Sequence, residues 1–384
     1  MQMHPFPTIA AALVVFSTNV FAQPAAKATP LGPATGTLGE EFSRLLSVRE
    51  LSNGKVLITD DKDSRLFAAD FQSGKTRMLG RMGDGPGEFR AVGRLWDVGN
   101  DSTLMSVPYR GRILLLHHDS IVATITGNQE IILALGGSIV RGADARGNLL
   151  NISVGSGPAK EAIMADSFTI VRTNRKTVRK DAVTKVANTD KDLMQSARPA
   201  AKPGTAEASK KTYHISIRAR EQITMFPDGT IAVLRGNPYR VDWCYAPATA
   251  CVNGATQAFD SRRWTDDDKK AYLSVQSGSG SWPPTENIDE TTGWPDQLPP
   301  FATPGGPDDS NFWATAAGNV VVERVSNSGM TLRTYDVINR QSKRVASVSV
   351  PRGHRILGFG KGTVYVVHVD SDGIERLQRH AWAF

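Results

Sequence analysis

At 384 residues, with 40% hydrophobic and 22% charged content, the chain carries enough apolar material for a full-sized globular core. Its formal charge of +7 is unevenly placed: residues 172–220 hold 13 Lys/Arg against 4 Asp/Glu, leaving 32 basic and 34 acidic residues elsewhere. Nothing beyond the N-terminal stretch is long and apolar enough for a membrane helix, so no transmembrane segment is expected once that stretch is removed.

In chain order, the first element is an export signal. The apolar run TIAAALVVFSTNVFA is too short to span a bilayer, and Val20-Phe21-Ala22 fits the small-x-small cleavage rule. Residues 1–22 therefore read as a signal peptide, with a buried first strand as the alternative, and the protein is expected in the periplasm or outside the cell. Residues 23–39, rich in Pro, Ala, Gly and Thr, are expected as a flexible leader.

From residue 40 a pattern repeats six times: a small turn, then a strongly β-forming run. The runs are SNGKVLITD (52–60), GNDSTLMSV (99–107), ARGNLLNISV (145–154), PDGTIAVLR (227–235), AAGNVVVERV (316–325) and GKGTVYVVHV (360–369). Gly54, Asp101, Gly147, Gly229, Gly318 and Gly362 mark the turns. The close markers are spaced like four-stranded propeller blades, which take roughly 40–50 residues each. The two wide gaps hold a polar stretch without periodicity at 187–212 and Pro/Gly-rich segments within 260–310. Between the latter, WTDDDKKAYLSVQ predicts one short helix, with Thr265 as N-cap and Asp266, Asp267 and Asp268 complementing its dipole. Each marker turn then joins a blade's first strand, a, to its second, b. Loops such as DDKDSR, PYRGR, GNPYR and DSDG join b to c. The fold class is thus all-β, a single six-bladed β-propeller over residues 40–384 with one short helix in an insertion.

Cys244 and Cys251 fall near the end of a hairpin in blade four. An exported chain makes their pairing the favoured reading over free thiols, and no further ligand at useful spacing supports a metal site.

The glycine-rich stretch GRMGDGPGEF (80–89) invites comparison with phosphate loops. It lacks the Gly-Lys-Ser/Thr of a Walker loop and the third glycine of a dinucleotide fingerprint, so it reads as a connection between blades one and two, with Phe89 wedged between them. Together with LWDVGNDSTLMSV, NPYRVDW and the C-terminal RILGFGKGTVYVVHVDSDGIERLQRHAW, it resembles the six-bladed, NHL-like propellers of exported bacterial proteins. The resemblance covers roughly residues 40–384, implies the same fold, and says little about activity.

Chemistry is sparse. No nucleophile elbow and no HExxH helix occurs, so catalytic residues stay unassigned. His117 and His118 are expected on opposite faces of a strand. The acids Asp60, Asp61 and Asp63 read as salt-bridge partners of Lys62 and Arg65 rather than cation ligands, and DSDGIE (370–375) reads as a turn rather than a calcium loop. No cofactor and no metal site is expected. The candidate ligand contacts are Asp61, Arg65, Glu88, Tyr109, Arg110, Arg235, Tyr239, Arg240 and His368, in loops that gather on one face. Arg65, Arg110, Arg235 and Arg240 suggest a shared funnel for carboxylate, sulfate or phosphate groups, with Asp/Glu pairing as the alternative. The expected function is non-enzymatic binding of a ligand or protein. An anionic glycan, a carboxylate or an envelope component fits the basic segment, and nucleic acid does not. A hydrolase or lyase using a metal in the central channel is the alternative.

Overall fold

The computed structural model describes residues 28–83, 85, 88–107, 112–125, 140–153, 165–188, 213–214, 219–245, 250–277, 288–301, 311–325 and 332–384. The expected signal peptide, residues 189–212 of the polar stretch expected at 187–212, and Tyr109 and Arg110 lie outside these residues; Ala187 ends a strand.

Two short strands, β1 (Thr29–Pro30) and β2 (Ala34–Thr37), precede the blades. Blade one is β3 (Leu45–Glu50), β4 (Val56–Asp60), β5 (Arg65–Asp70) and β6 (Lys75–Gly80); blade two is β7 (Leu95–Asp97), β8 (Ser102–Val107), β9 (Arg112–His117) and β10 (Ser120–Ile125). Blade three is β11 (Val140–Ala143), β12 (Asn148–Ser153), β13 (Ser167–Asn174) and β14 (Lys180–Ala187). After β15 (Tyr213–His214) comes blade four, with β16 (Gln222–Met225), β17 (Ile231–Gly236), β18 (Tyr239–Cys244) and β19 (Cys251–Val252). Helix α1 (Asp266–Ser277) and β20 (Thr291–Thr292) follow. Blade five is β21 (Phe312–Ala314), β22 (Val320–Glu323), β23 (Leu332–Ile338) and β24 (Arg344–Pro351), and the last three strands are β25 (His354–Phe359), β26 (Thr363–Val369) and β27 (Glu375–Ala381).

The local reason for this regularity is the a–b turn. All six marker residues have positive φ: Gly54 79°, Asp101 50°, Gly147 83°, Gly229 86°, Gly318 84° and Gly362 72°. Only glycine, or a short polar residue such as aspartate, takes that backbone cheaply. The b strands that follow are nearly all buried, as in Val56–Asp60 and Ile231–Leu234, because each blade is covered on both faces by its neighbours. Hence the continuous apolar runs. The outermost strands β6, β10 and β14 are largely exposed or half-buried.

Six apolar layers close the ring, one between each pair of neighbouring blades: Phe42 and Leu357 between six and one, Phe89 and Met105 between one and two, Leu104 and Leu149 between two and three. Leu150 and Val233 lie between three and four, Trp243 and Val322 between four and five, Tyr335 and Val366 between five and six. Phe89 is thus buried between blades one and two, and the glycine-rich stretch before it connects them.

The leader behaves differently from expectation. Residues 29–37 are not a flexible spacer: β2 pairs antiparallel with β27 as the fourth strand of blade six, and β1 pairs parallel with β24 on blade five. The C-terminal strands supply only three members of the last blade, whose open edge would leave backbone N–H and C=O groups unpaired. The N-terminal strand fills that edge. His380 fastens the strap through Nδ1, 2.8 Å from the Gly32 carbonyl oxygen.

The cysteines form a disulfide across the paired residues of β18 and β19. Histidines 117 and 118 depart from the expected opposition: their ring centres are 4.4 Å apart. His118 has already left the strand, at φ 50°, so strand alternation no longer applies.

Candidate functional site

Strands alternate in direction within each blade, so the b–c loops and the connections between blades share one face, here called the loop face, while a–b and c–d turns share the other. The two longest connections, 188–221 and 253–311, each link the last strand of one blade to the first strand of the next, which starts on the loop face. They meet there: β15, from the first, pairs parallel with β20, from the second.

The second connection builds a small module. Thr265 caps α1 through Oγ1, which accepts from the Asp268 N–H (3.2 Å), while the Asp268 carboxylate accepts from the Thr265 N–H (3.0 Å). This reciprocal pair satisfies two end donors at once. Arg262 holds the same carboxylate through Nη2 at 2.8 Å. Trp264, Tyr272 and Trp294 pack edge to face or tilted, with ring centres 5.1–6.0 Å apart, over Leu273 and Ile288. Aromatic contact replaces the strand ladders that the Pro/Gly-rich sequence cannot form.

Around the rim of the same face, carboxylates act as structural acceptors. In blade one, buried Asp60 takes the Ser43 and Arg44 N–H groups (3.0 and 3.1 Å) and Arg65 Nη2 (2.7 Å). Arg65 also reaches Asp63 at 2.7 Å and lies over the Phe67 ring, and Asp61 is held by Arg44. The salt-bridge reading of DDKDSR therefore holds for Arg65, while Asp61 takes Arg44 as its partner where Lys62 was expected. At the junction of blades six and one, Glu375 accepts from Leu45 N–H (2.6 Å) and from Arg355 (2.8 and 3.0 Å). In blade five Glu323 pairs with Arg333 at 2.9 Å. The DSDG segment is a turn, as expected: Asp370 accepts from the Asp372 and Ile374 N–H groups.

Blade four carries the densest network. Asp242 accepts Arg240 Nε (2.7 Å), Arg235 Nε (2.9 Å) and Gly254 N–H (3.2 Å). Burial pushes its carboxyl pKa up, but these three donors outweigh it and hold the group below the ordinary value. Arg235 further reaches Glu221 (2.6 Å) and the Lys185 carbonyl oxygen on blade three (2.9 Å).

The sequence-derived contacts thus separate. Arg65 and Arg235 with Arg240 lie in blades one and four, each in its own ion-pair network, and Arg235 points across to the outer strand of blade three rather than into a shared funnel. Tyr239 is buried at the interface of blades four and five and donates its hydroxyl to Asp336 (3.1 Å), so it is a packing residue, not a surface contact. Glu88 accepts from the Gly85 N–H and faces Arg81, closing the interblade connection. His368 was found by the sequence, but its partner was not. His354, at the start of the inner strand β25, lies directly opposite it, with ring centres 4.6 Å apart. Burial, assisted by the neighbouring imidazole, lowers the His354 pKa. Register symmetry about the Gly362 turn is the signal that links the two positions. Among the described residues no group of three or more His, Cys, Asp or Glu is placed to hold a metal, and no helix is long and apolar enough to cross a membrane.

No family model matches the chain, and no curated protein does. Solved structures similar to the chain are found at low identity. A "Putative exported protein" from Bacteroides fragilis is 13% identical, with 92% of this chain and 94% of that one covered and a TM-score of 0.47. Regucalcin from Agrobacterium tumefaciens, a calcium-binding protein, is 12% identical over 94% and 98% of the two chains, with a TM-score of 0.43. A luciferin-regenerating enzyme is 11% identical over 91% and 95%, with a TM-score of 0.45.

Proposed function

We propose that this chain is an exported, non-enzymatic binding propeller of the NHL-like kind that takes a partner bearing acidic groups on its loop face. One observation carries the reading: the two longest interblade connections converge on that face and join through β15 and β20, adding an aromatic-cored module where a propeller receives ligands. The rim carboxylates favour binding over catalysis, because Asp60, Asp242 and Glu375 are each occupied by arginine and backbone donors. The Cys244–Cys251 disulfide supports an oxidising compartment, as the N-terminal apolar run does. The basic excess of residues 172–220 supports an acidic partner, since residues 188–220, in the connection that enters the loop face, hold 7 Lys/Arg against 3 Asp/Glu. Within that face Arg65, Arg240 and His368 remain candidate contacts, with Asp61 and Glu88 setting their charge balance.

The test is face-specific. Polygalacturonate and polyglutamate serve as probes of intact protein, at low and high salt. Charge reversal of the exposed Arg263 and Lys270 on the module weakens binding, and salt weakens it further. Reversal of the exposed Lys176 and Arg179, in the c–d turn of blade three on the opposite face, leaves it unchanged. Equal losses from both pairs, or loss only from the second, refute the loop-face assignment.

A further inference from the structure

We propose that His354 and His368 form a two-imidazole site for a borderline divalent transition metal at the inner rim of the loop face. The two residues are directly opposed partners on β25 and β26, the first and second strands of blade six. Both are half-buried, so the site is open to solvent from one side while the four-stranded blade fixes both Cα positions.

The ring separation is compatible with chelation. With metal–nitrogen bonds of about 2.0–2.1 Å, and a ring nitrogen roughly 1.2 Å from the ring centre, each centre lies about 3.2 Å from a bound ion. Two such rings subtending roughly 90–110° at the ion have centres about 4.5–5.2 Å apart. The observed separation is 4.6 Å, with the ring planes 32° apart. His354 Nδ1 lies 3.5 Å from the Arg352 carbonyl oxygen, and a proton on that nitrogen would leave the Nε2 lone pair for a metal. The adjacent cation is neutralised. Arg376, opposite His368 on β27, is held by Asp370 at 2.9 Å and by Glu41, so its charge is compensated beside the site.

Two protein nitrogens leave the remaining positions to water or to a donor brought by a partner, and the order of stability places Cu²⁺ ahead of Ni²⁺ and Zn²⁺. Calcium and magnesium, which require oxygen ligands, are excluded from this donor set.

The experiment is titration of untagged, mature protein with Cu²⁺ and Ni²⁺, read by calorimetry and, for copper, by electron paramagnetic resonance. Wild type is expected to bind one equivalent tightly, with a nitrogen hyperfine pattern from two imidazoles. His354→Gln and His368→Gln each lower that affinity at least tenfold and remove one nitrogen from the spectrum. A His117→Gln/His118→Gln variant provides the control, since that pair also has close rings, 4.4 Å apart, and lies in blade two. Metal-free thermal unfolding of every variant confirms that the blade is intact. Tight binding that survives both blade-six substitutions, binding that disappears with His117 and His118, or no binding by folded wild type at sub-millimolar metal overturns the assignment.

Discussion

Replacing Asp242 with asparagine tests the central claim about blade four, that its carboxylate is a structural anion. The side chain is 2% exposed, and its partners Arg235 and Arg240 are 14% and 23% exposed. Removing one member of a buried ion pair costs about 3–5 kcal/mol. Solvent reaches both guanidiniums in part, and Glu221 still holds Arg235, so the expected loss is nearer 2–3 kcal/mol. A chain of this size unfolds with an entropy of roughly 0.7 kcal/mol/K, so Tm falls by about 3–4 °C. Acid supplies the diagnostic. The folded-state pKa of Asp242 is depressed below its ordinary 3.8, so its contribution is complete above that value and drains away as pH falls through the folded pKa. The substituted asparagine has no proton to gain. The stability gap between wild type and variant, measured by urea unfolding from pH 7 downward, therefore stays open above the ordinary 3.8 and narrows as pH falls below it through the depressed folded value. A gap of the same size at both ends of that range refutes the ionic account, and a gap under about 0.5 kcal/mol at pH 7 refutes the claim that the network matters.

Gly254→Ala disturbs the same network from the other side, because a Cβ there collides with the Val241 carbonyl oxygen and the backbone must shift. It costs about 1–3 kcal/mol by urea unfolding, and its effect combined with Asp242→Asn is less than additive. Tyr239→Phe removes a buried hydroxyl bonded to Asp336 and lowers stability by about 2 kcal/mol, while polyanion binding stays unchanged. Binding lost with that variant, in protein that remains folded, returns Tyr239 to the ligand contacts. Thiol labelling of denatured, unreduced protein finds no free cysteine, and reduction lowers unfolding stability by about 2–3 kcal/mol.

The blade pattern was legible in the sequence because it is local. Each a–b turn needs a residue that accepts positive φ, and each b strand is buried on both faces, so Gly54 with VLITD and Gly362 with TVYVV reveal one blade apiece without knowledge of the rest. The Thr265 cap, the interblade wedge of Phe89 and the pairing of Cys244 with Cys251 are short-range in the same way. Ring closure is not. That Ala34–Thr37 completes the blade begun at His354 depends on contacts more than 300 residues apart, and a Pro/Gly-rich composition gave no sign of it. Nor does composition reveal whether an arginine is free: Arg65 and Arg235 looked alike as loop cations until Asp60, Asp63, Glu221 and Asp242 were brought beside them. Tyr239 and His368 differ for the same reason. The side of a blade on which a residue emerges follows from strand alternation, but what it meets there is set by the neighbouring blade. For Tyr239 that neighbour offers a buried carboxylate. For His368 the partner is His354, supplied by its own blade across the Gly362 turn, and only the folded register sets the two rings side by side.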